Sequence, residues 1–333
     1  MNLARALALP TLVVSSLIPG LSARAEFTIE KTAGDGVIVK VDGKPFAEYV
    51  VDQANKPYLA PVFGPTGKQM TRNYPMTTVE GEQHDHPHHR GICFGNENVA
   101  GFDTWAEKAT YAGSTKKKAS DERGLAKIGS IKHRKYLELT ADADHAVIAV
   151  ADDLLAPDGH KALDEEHRIT FHATADTRTI DYDIDYIASE GPVVFADAKD
   201  AGFSIRLPTS MAVESKLGGH IINSEGITDG DAWSKRASWC EYDGPVDGEK
   251  LGVAMLNHPS SFRYPTPWHV RTYGLFTANA FGFHSLDKTR PVSDFELKQG
   301  EHLKLRHRLI FHKGDEKDAH IAEAFAEYAK ETR

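Results

Sequence analysis

Period-two alternation constrains this chain more than any other feature. Across residues 179–187, Ile180, Tyr182, Ile184 and Tyr186 alternate with Asp181, Asp183 and Asp185. Successive strand side chains point to opposite faces, so this reads as a strand with one apolar and one acidic face. Leu303, Leu305, His307, Leu309 and Phe311 alternate in the same manner with Lys304, Arg306 and Arg308. Shorter strands are expected over residues 36–41, 136–140, 146–151, 167–173, 202–207, 251–256 and 273–278. Turn formers punctuate them, as in Pro157-Asp158-Gly159, Asp229-Gly230-Asp231 and Asp243-Gly244-Pro245. Many strands with no helices between them predict an all-β fold, a large antiparallel β-sandwich.

One helical period breaks this pattern. Residues 317–330 place Ala319, Ala322, Phe325, Ala326 and Ala329 on one face, with Ile321 and Tyr328 beside them. A C-terminal helix is therefore expected to lie outside the sandwich as a lid. No repeat, linker or composition shift divides the chain, so residues 26–333 are expected to form a single β-sandwich domain.

The first residues read as a signal peptide. Arg5 supplies positive charge, an apolar run follows, and Ala23-Arg24-Ala25 fits an A-x-A cleavage pattern, with Glu26 as the mature N-terminus. The run falls short of a membrane span and Pro10 interrupts it. The expected location is periplasmic or extracellular, with no membrane insertion after cleavage. Removing residues 1–25 takes away two arginines and no acids, so the net charge of −9 becomes −11. So acidic a chain lacks the clustered cations that hold nucleic acid. Its one basic run, Lys116-Lys117-Lys118, reads as a solvated loop. The two cysteines, Cys93 and Cys240, could pair in an oxidising compartment, and spacing does not decide whether they do.

The densest chemical signal is His84-Asp85-His86-Pro87-His88-His89-Arg90-Gly91, with four of the 17 histidines in six residues. On an extended segment His84, His86 and His88 would share a face and could bind a transition metal. Alternatively, His86, His88 or His89 could act as acid or base near neutral pH, with Arg90 holding an anionic oxygen. The plainest alternative is a surface histidine run, although Pro87 and Gly91 stiffen and turn the loop.

A second constellation comprises Asn257-His258-Pro259, the stretch from Thr266 through Trp268, His269, Arg271 and Tyr273 to Gly274, and Asn279. Aromatic planes that stack on sugar rings, with polar tips that bond hydroxyls or carboxylates, make up a saccharide pocket. Glu166, Asp197, Lys199 and Asp200 are weaker candidates to join it, and Asp181, Asp183 and Asp185 could bind calcium. Trp239-Cys240 reads as core packing. No phosphate-binding glycine loop, serine nucleophile elbow or H-E-x-x-H helix is present.

The string Asp85-His86-Pro87-His88-His89-Arg90-Gly91, followed by Asn98-Val99-Ala100-Gly101-Phe102-Asp103-Thr104-Trp105, resembles a family of exported bacterial proteins known as PmoA-like. So do Trp239-Cys240-Glu241-Tyr242-Asp243-Gly244, His258-Pro259, and the run from Pro267 through Trp268-His269-Val270-Arg271-Thr272-Tyr273-Gly274 to Phe276. The resemblance runs from about residue 45 to 313, and Val99-Ala100-Gly101 departs from an expected Asn-Gly pair. It implies a β-sandwich like that of galactose mutarotases, in company with carbohydrate-degrading proteins. Its matching positions are His86, His88, His89, Arg90, His258, Trp268, Arg271 and Tyr273.

These readings combine into an exported carbohydrate-active enzyme that hydrolyses, eliminates or epimerises a saccharide. His86, His88, His89, Arg90, His258 and Arg271 are its expected catalytic residues. Trp268, His269, Tyr273, Asn279, Glu166 and Lys199 are expected to bind substrate. The alternatives are a copper-type oxidoreductase with its metal on His84, His86 and His88, and a non-catalytic sugar-binding module.

Overall fold

The computed structural model describes residues 25–112 and 119–332. The expected leader up to residue 24, and the lysine run at 116–118, lie outside the described residues. Strands β1 (Phe27–Lys31), β2 (Val37–Val41), β3 (Lys44–Val50), β4 (Tyr58–Val62) and β5 (Ile92–Asn96) come first. Helices α1 (Lys108–Ala112) and α2 (Ala119–Leu125) precede the long strands β6 (Ser130–Ala141), β7 (Ala146–Leu155), β8 (Lys161–Ala173) and β9 (Thr177–Ile187). Then follow β10 (Val193–Phe195), β11 (Ala201–Arg206), β12 (His220–Asn223), β13 (Trp239–Val246) and β14 (Glu249–Asn257). The chain closes with β15 (Leu275–Ala278), α3 (Phe283–Leu286), β16 (Phe295–Leu297), β17 (His302–Lys313) and α4 (Ile321–Tyr328).

Two antiparallel sheets make the sandwich, as the alternation predicts. Among the described residues, one sheet has seven strands in the order β1-β2-β3-β4-β5-β11-β15, and the other has eight, β12-β13-β14-β17-β9-β8-β7-β6. Their facing sides share one core, in which Phe46, Phe94, Phe203 and Phe276 of the first sheet join Phe171, Ile180, Ile184 and Phe311 of the second. Burial of such faces is the main force holding the sheets together.

The two strongly alternating segments turn out to be neighbours. β9 pairs with β17, and the acidic face of one meets the basic face of the other. Arg308 Nε lies 2.6 Å from Asp181, Arg306 Nε 3.4 Å from Asp183, and Lys304 Nζ 3.6 Å from Asp185. These cross-strand pairs engage the three carboxylates that, by sequence alone, could have bound calcium.

The C-terminal helix is present but shorter and rotated relative to expectation. It begins at Ile321, and it buries Ile321 and Tyr328, with Ala324 and Phe325 partly covered, against Trp239, Ala254, Leu256 and Ile310. Ala322 and Ala326, expected inside, face solvent. Large side chains bury more apolar area than alanines, and they set which stripe turns inward. The helix rests on the outer side of the eight-stranded sheet. Trp239 packs there, as expected, while Cys240 points into the main core. Cys93 and Cys240 are both buried, free thiols on different sheets.

Candidate functional site

The histidine loop is shaped by a residue outside the motif. Arg72, fully buried, donates from Nε to the Tyr74 carbonyl (3.1 Å), from Nη1 to the Gln83 carbonyl (3.3 Å) and from Nη2 to the His86 carbonyl (3.0 Å). It also pairs with Asp85. Three backbone acceptors and one carboxylate on a single guanidinium fix the path of the loop. His86 takes a left-handed backbone (φ 42°), and the His89 amide donates to the His86 carbonyl at 3.0 Å, closing a turn over Pro87-His88. Gly91, with φ 48°, then enters β5, and a Cβ there would collide with the Leu59 carbonyl.

This turn corrects the metal expectation. Side chains two apart share a face only on an extended segment. Here His84 leaves the others and stacks on Tyr74, with ring centroids 4.9 Å apart. Each remaining histidine has its Nδ1 engaged: His86 with Asp85 at 2.7 Å, His88 with Thr110 at 3.0 Å, His89 with Arg206 at 3.4 Å. Among the described residues no three His, Cys, Asp or Glu side chains are grouped as a metal site.

What forms instead is a stack. His86 lies parallel to His89 (4.8 Å, 2°) and to Tyr273 (5.2 Å, 3°), while Trp105 meets His89 edge-on at 5.7 Å. Sheet register assembles it. Ile92 of β5 pairs with Ile205 of β11, and Arg206 pairs with Leu275 of β15, so the ends carrying His89, Arg206 and Tyr273 converge. Ser204 and Arg206 alternate with the core residues Phe203 and Ile205, so they occupy the face of the seven-stranded sheet turned away from the core.

Charge completes the arrangement. Arg206, also buried, donates from Nη2 to Asp85 (2.7 Å) and to Gln83 Oε1 (3.0 Å), and its guanidinium lies 4.7 Å over the Tyr273 ring. Partial burial opposes ionisation of Asp85, but the His86 hydrogen bond and the two arginines hold its carboxyl well below the usual range. Burial lowers His88 to about 3, helped by Lys56 and His86, and it lowers His89 well below the ordinary imidazole value. Both are therefore neutral at neutral pH. His89 accepts from Arg206 at Nδ1, which places its proton on Nε2.

His86 differs from both. Its side chain is 42% exposed, its Nδ1–H donates to Asp85, and Nε2 has no hydrogen-bond partner among the described residues. A carboxylate-oriented imidazole with its other nitrogen open is an arrangement suited to proton exchange.

The second constellation divides. Arg271 and Tyr273 reach the stack, Arg271 lying 5.6 Å over both Tyr273 and the half-buried Trp233. His269 is buried, but it links Trp233 to Asp200: Trp233 Nε1 donates to its Nδ1 at 2.9 Å, and its Nε2 lies 3.4 Å from Asp200. Lys199 is exposed and sits 3.4 Å from Asp200.

The other expected residues lie elsewhere or do other work. Trp268 is fully buried and donates to the Ala237 carbonyl at 3.0 Å, so it cannot receive a sugar. Asn279, also buried, donates to the Ala198 and Lys199 carbonyls and thereby fixes the turn that carries Asp200. His258 packs against Tyr328 under α4, 4.9 Å between rings, on the other sheet. Glu166 lines a cavity of about 360 Å³ on the outer face of the eight-stranded sheet, with Arg168 and Asp183. Arg90 is clamped by Glu107 through Nε (2.8 Å) and Nη2 (3.0 Å), a structural tie between β5 and the following loop. Asp197 accepts the amides of His284 and Ser285 (2.8 and 2.7 Å) and holds the start of α3.

Sequence reasoning missed Arg72, Arg206 and Trp233. Arg206 carried a readable signal, an arginine in an otherwise apolar strand.

The fold and site thus define a class: an antiparallel two-sheet sandwich that carries a histidine–arginine cluster on the outer face of one sheet. The chain belongs to the family described as a family of unknown function, DUF6807, which it matches over residues 36–326. No curated protein sequence matches it. Among solved structures it is similar to the galactosidase domain of alpha-galactosidase-sucrose kinase, AgaSK (TM-score 0.42, 8% identity, 86% of this chain and 42% of that one). It is also similar to a galactose mutarotase-like protein from Clostridium acetobutylicum (0.39, 9% identity, 87% and 99%). A third similar structure, from Escherichia coli, bears the name "Putative aldose 1-epimerase" (0.36, 11% identity, 87% and 99%). The chain spans less than half the length of the galactosidase chain.

Proposed function

We propose that this chain is an exported carbohydrate-active enzyme in which His86 exchanges a proton with a saccharide. The observation that carries this reading is the Asp85–His86 pair: an imidazole fixed at Nδ1 by a carboxylate, held in plane by His89 and Tyr273, and open at Nε2. Neutral His88 and His89 and the guanidinium of Arg271 surround it with donors for sugar hydroxyls or a developing oxyanion. The reaction would be a hydrolysis, elimination or epimerisation, each of which needs a proton moved at carbon or oxygen. The leader-like first residues support action in the periplasm or outside the cell, and N-terminal sequencing of exported protein should begin at Glu26.

The test is turnover of acidic and neutral oligosaccharides by wild type and His86→Asn. Product formation by the wild type and its loss in the variant, with the fold unchanged, supports the reading. Binding with no product over long incubation would replace it with a sugar-binding module. Undiminished turnover in His86→Asn would move the proton transfer to another group.

A further inference from the structure

We propose that the histidine site takes a saccharide bearing a carboxylate, and that Arg271 is the residue that selects for it. This rests on the sugar-directed reading above and adds the charge of the substrate.

Three guanidinium groups, from Arg72, Arg206 and Arg271, surround the His86–Tyr273 stack, and one carboxylate, Asp85, makes direct ion pairs with the first two. Asp85 serves Arg72 and Arg206 together. The Arg271 guanidinium has no hydrogen-bond or ion-pair partner among the described residues. A local surplus of positive charge in a chain of net charge −9 is a placed feature rather than a reflection of composition.

A second observation points the same way. Arg206 is 1% exposed, and its Nε–H has no acceptor among the described residues. Buried donors are nearly always satisfied, so an orphaned guanidinium nitrogen marks where an acceptor is lacking. Burial first, and then the neighbouring Arg206, lower Arg72 to about 10 even with Asp85 beside it.

Arg271 is held ready for the role. Resting over Trp233 and Tyr273 restricts its rotamers, while the in-plane N–H groups of a guanidinium lying over a ring stay free. That fork matches a carboxylate in two parallel hydrogen bonds. A neutral sugar would leave the charge unanswered, whereas a uronic acid answers it and presents its ring to His86.

The experiment is saturation-transfer NMR of the full mature chain with glucuronate, galacturonate and mannuronate, against glucose, galactose and mannose. It is run on wild type, Arg271→Gln and Arg271→Lys. Melting curves check that each variant is folded, which is expected because the Arg271 side chain makes no hydrogen bond. The expected result is binding of at least one uronate over its neutral partner, weakened roughly ten- to a hundredfold in Arg271→Gln and less in Arg271→Lys. Equal binding of neutral and acidic sugars, unchanged in Arg271→Gln, overturns the carboxylate proposal and leaves the sugar-directed reading standing. Binding of none of the six overturns both.

Discussion

The imidazole of His86 lies parallel to the phenol ring of Tyr273, with centroids 5.2 Å apart and planes within 3°. The two come from loops far apart in the chain, one leading into β5 and the other into β15. Asp85 holds the same imidazole from its edge at 2.7 Å. Stacking and edge bonding together leave the ring one orientation.

Asp85→Asn should therefore lower both activity and stability. The change removes the counter-charge of two buried guanidinium groups, Arg72 and Arg206. Breaking a fully buried pair costs about 3–5 kcal/mol. Asp85 is about a third exposed, so on the order of 2 kcal/mol is expected, read as a lower urea midpoint. An unchanged midpoint would mean that Arg72 keeps the loop in place through its carbonyl contacts alone.

Two tryptophans should separate cleanly. Trp268→Ala, in the core, should cost about 3–5 kcal/mol and act on every property through folding. Trp233→Ala, half-buried beside Arg271, should change stability by less and ligand affinity by more. Thermal melts and binding assays on the two variants check the contrast, and the reverse pattern would put Trp268 in the site.

Acid should destabilise the protein before its carboxylates titrate. His88 and His307 are lowered to about 3 and His312 to about 4, each chiefly by burial. An unfolded chain protonates these imidazoles near pH 6.5, which the folded chain resists. Between that value and about pH 4 the unfolded state binds more protons, so stability falls as pH falls. His307 stacks on Phe203 at 5.0 Å, and His307→Leu should make the slope of stability against pH shallower by up to one proton. An unchanged slope would show that His307 is protonated in the fold.

The two thiols should stay silent until the chain unfolds. Cys93 and Cys240 are buried and unpaired, so native protein should react slowly with a thiol reagent and denatured protein should yield two equivalents. A reductant should leave the melting temperature unchanged. A mass two hydrogens lower than the reduced chain would show a disulfide that this fold does not contain.

Strand periodicity was highly legible. The alternation of Ile180 to Tyr186 with Asp181 to Asp185 predicts both a strand and its inward face, because burial on one side alone writes a period of two. The pairing of β9 with β17 was not read from the sequence, since register depends on contacts remote along the chain. The site was half legible. Composition marked the histidine loop and the run around Tyr273, but the turn at Pro87-His88 undid the shared face assumed for His84, His86 and His88. Trp268 and Trp233 differ in burial rather than in type, and no local pattern distinguishes a core indole from a half-buried one. Arg72 acts on backbone carbonyls, which leave no mark in a sequence.

The placement of Arg206 on β11 ties the chemistry of this chain to its assembly. Its neighbour Ile205 faces the core and Arg206 faces the site, so a strand slipped by one residue would drive a guanidinium into hydrocarbon. Such a slip is penalised by the interior long before any ligand arrives. The hydrophobic layer therefore proofreads the polar one: every correctly closed copy of the sandwich presents Arg206, His89 and Tyr273 in the same mutual alignment, and miswired copies are discarded as unfolded chain.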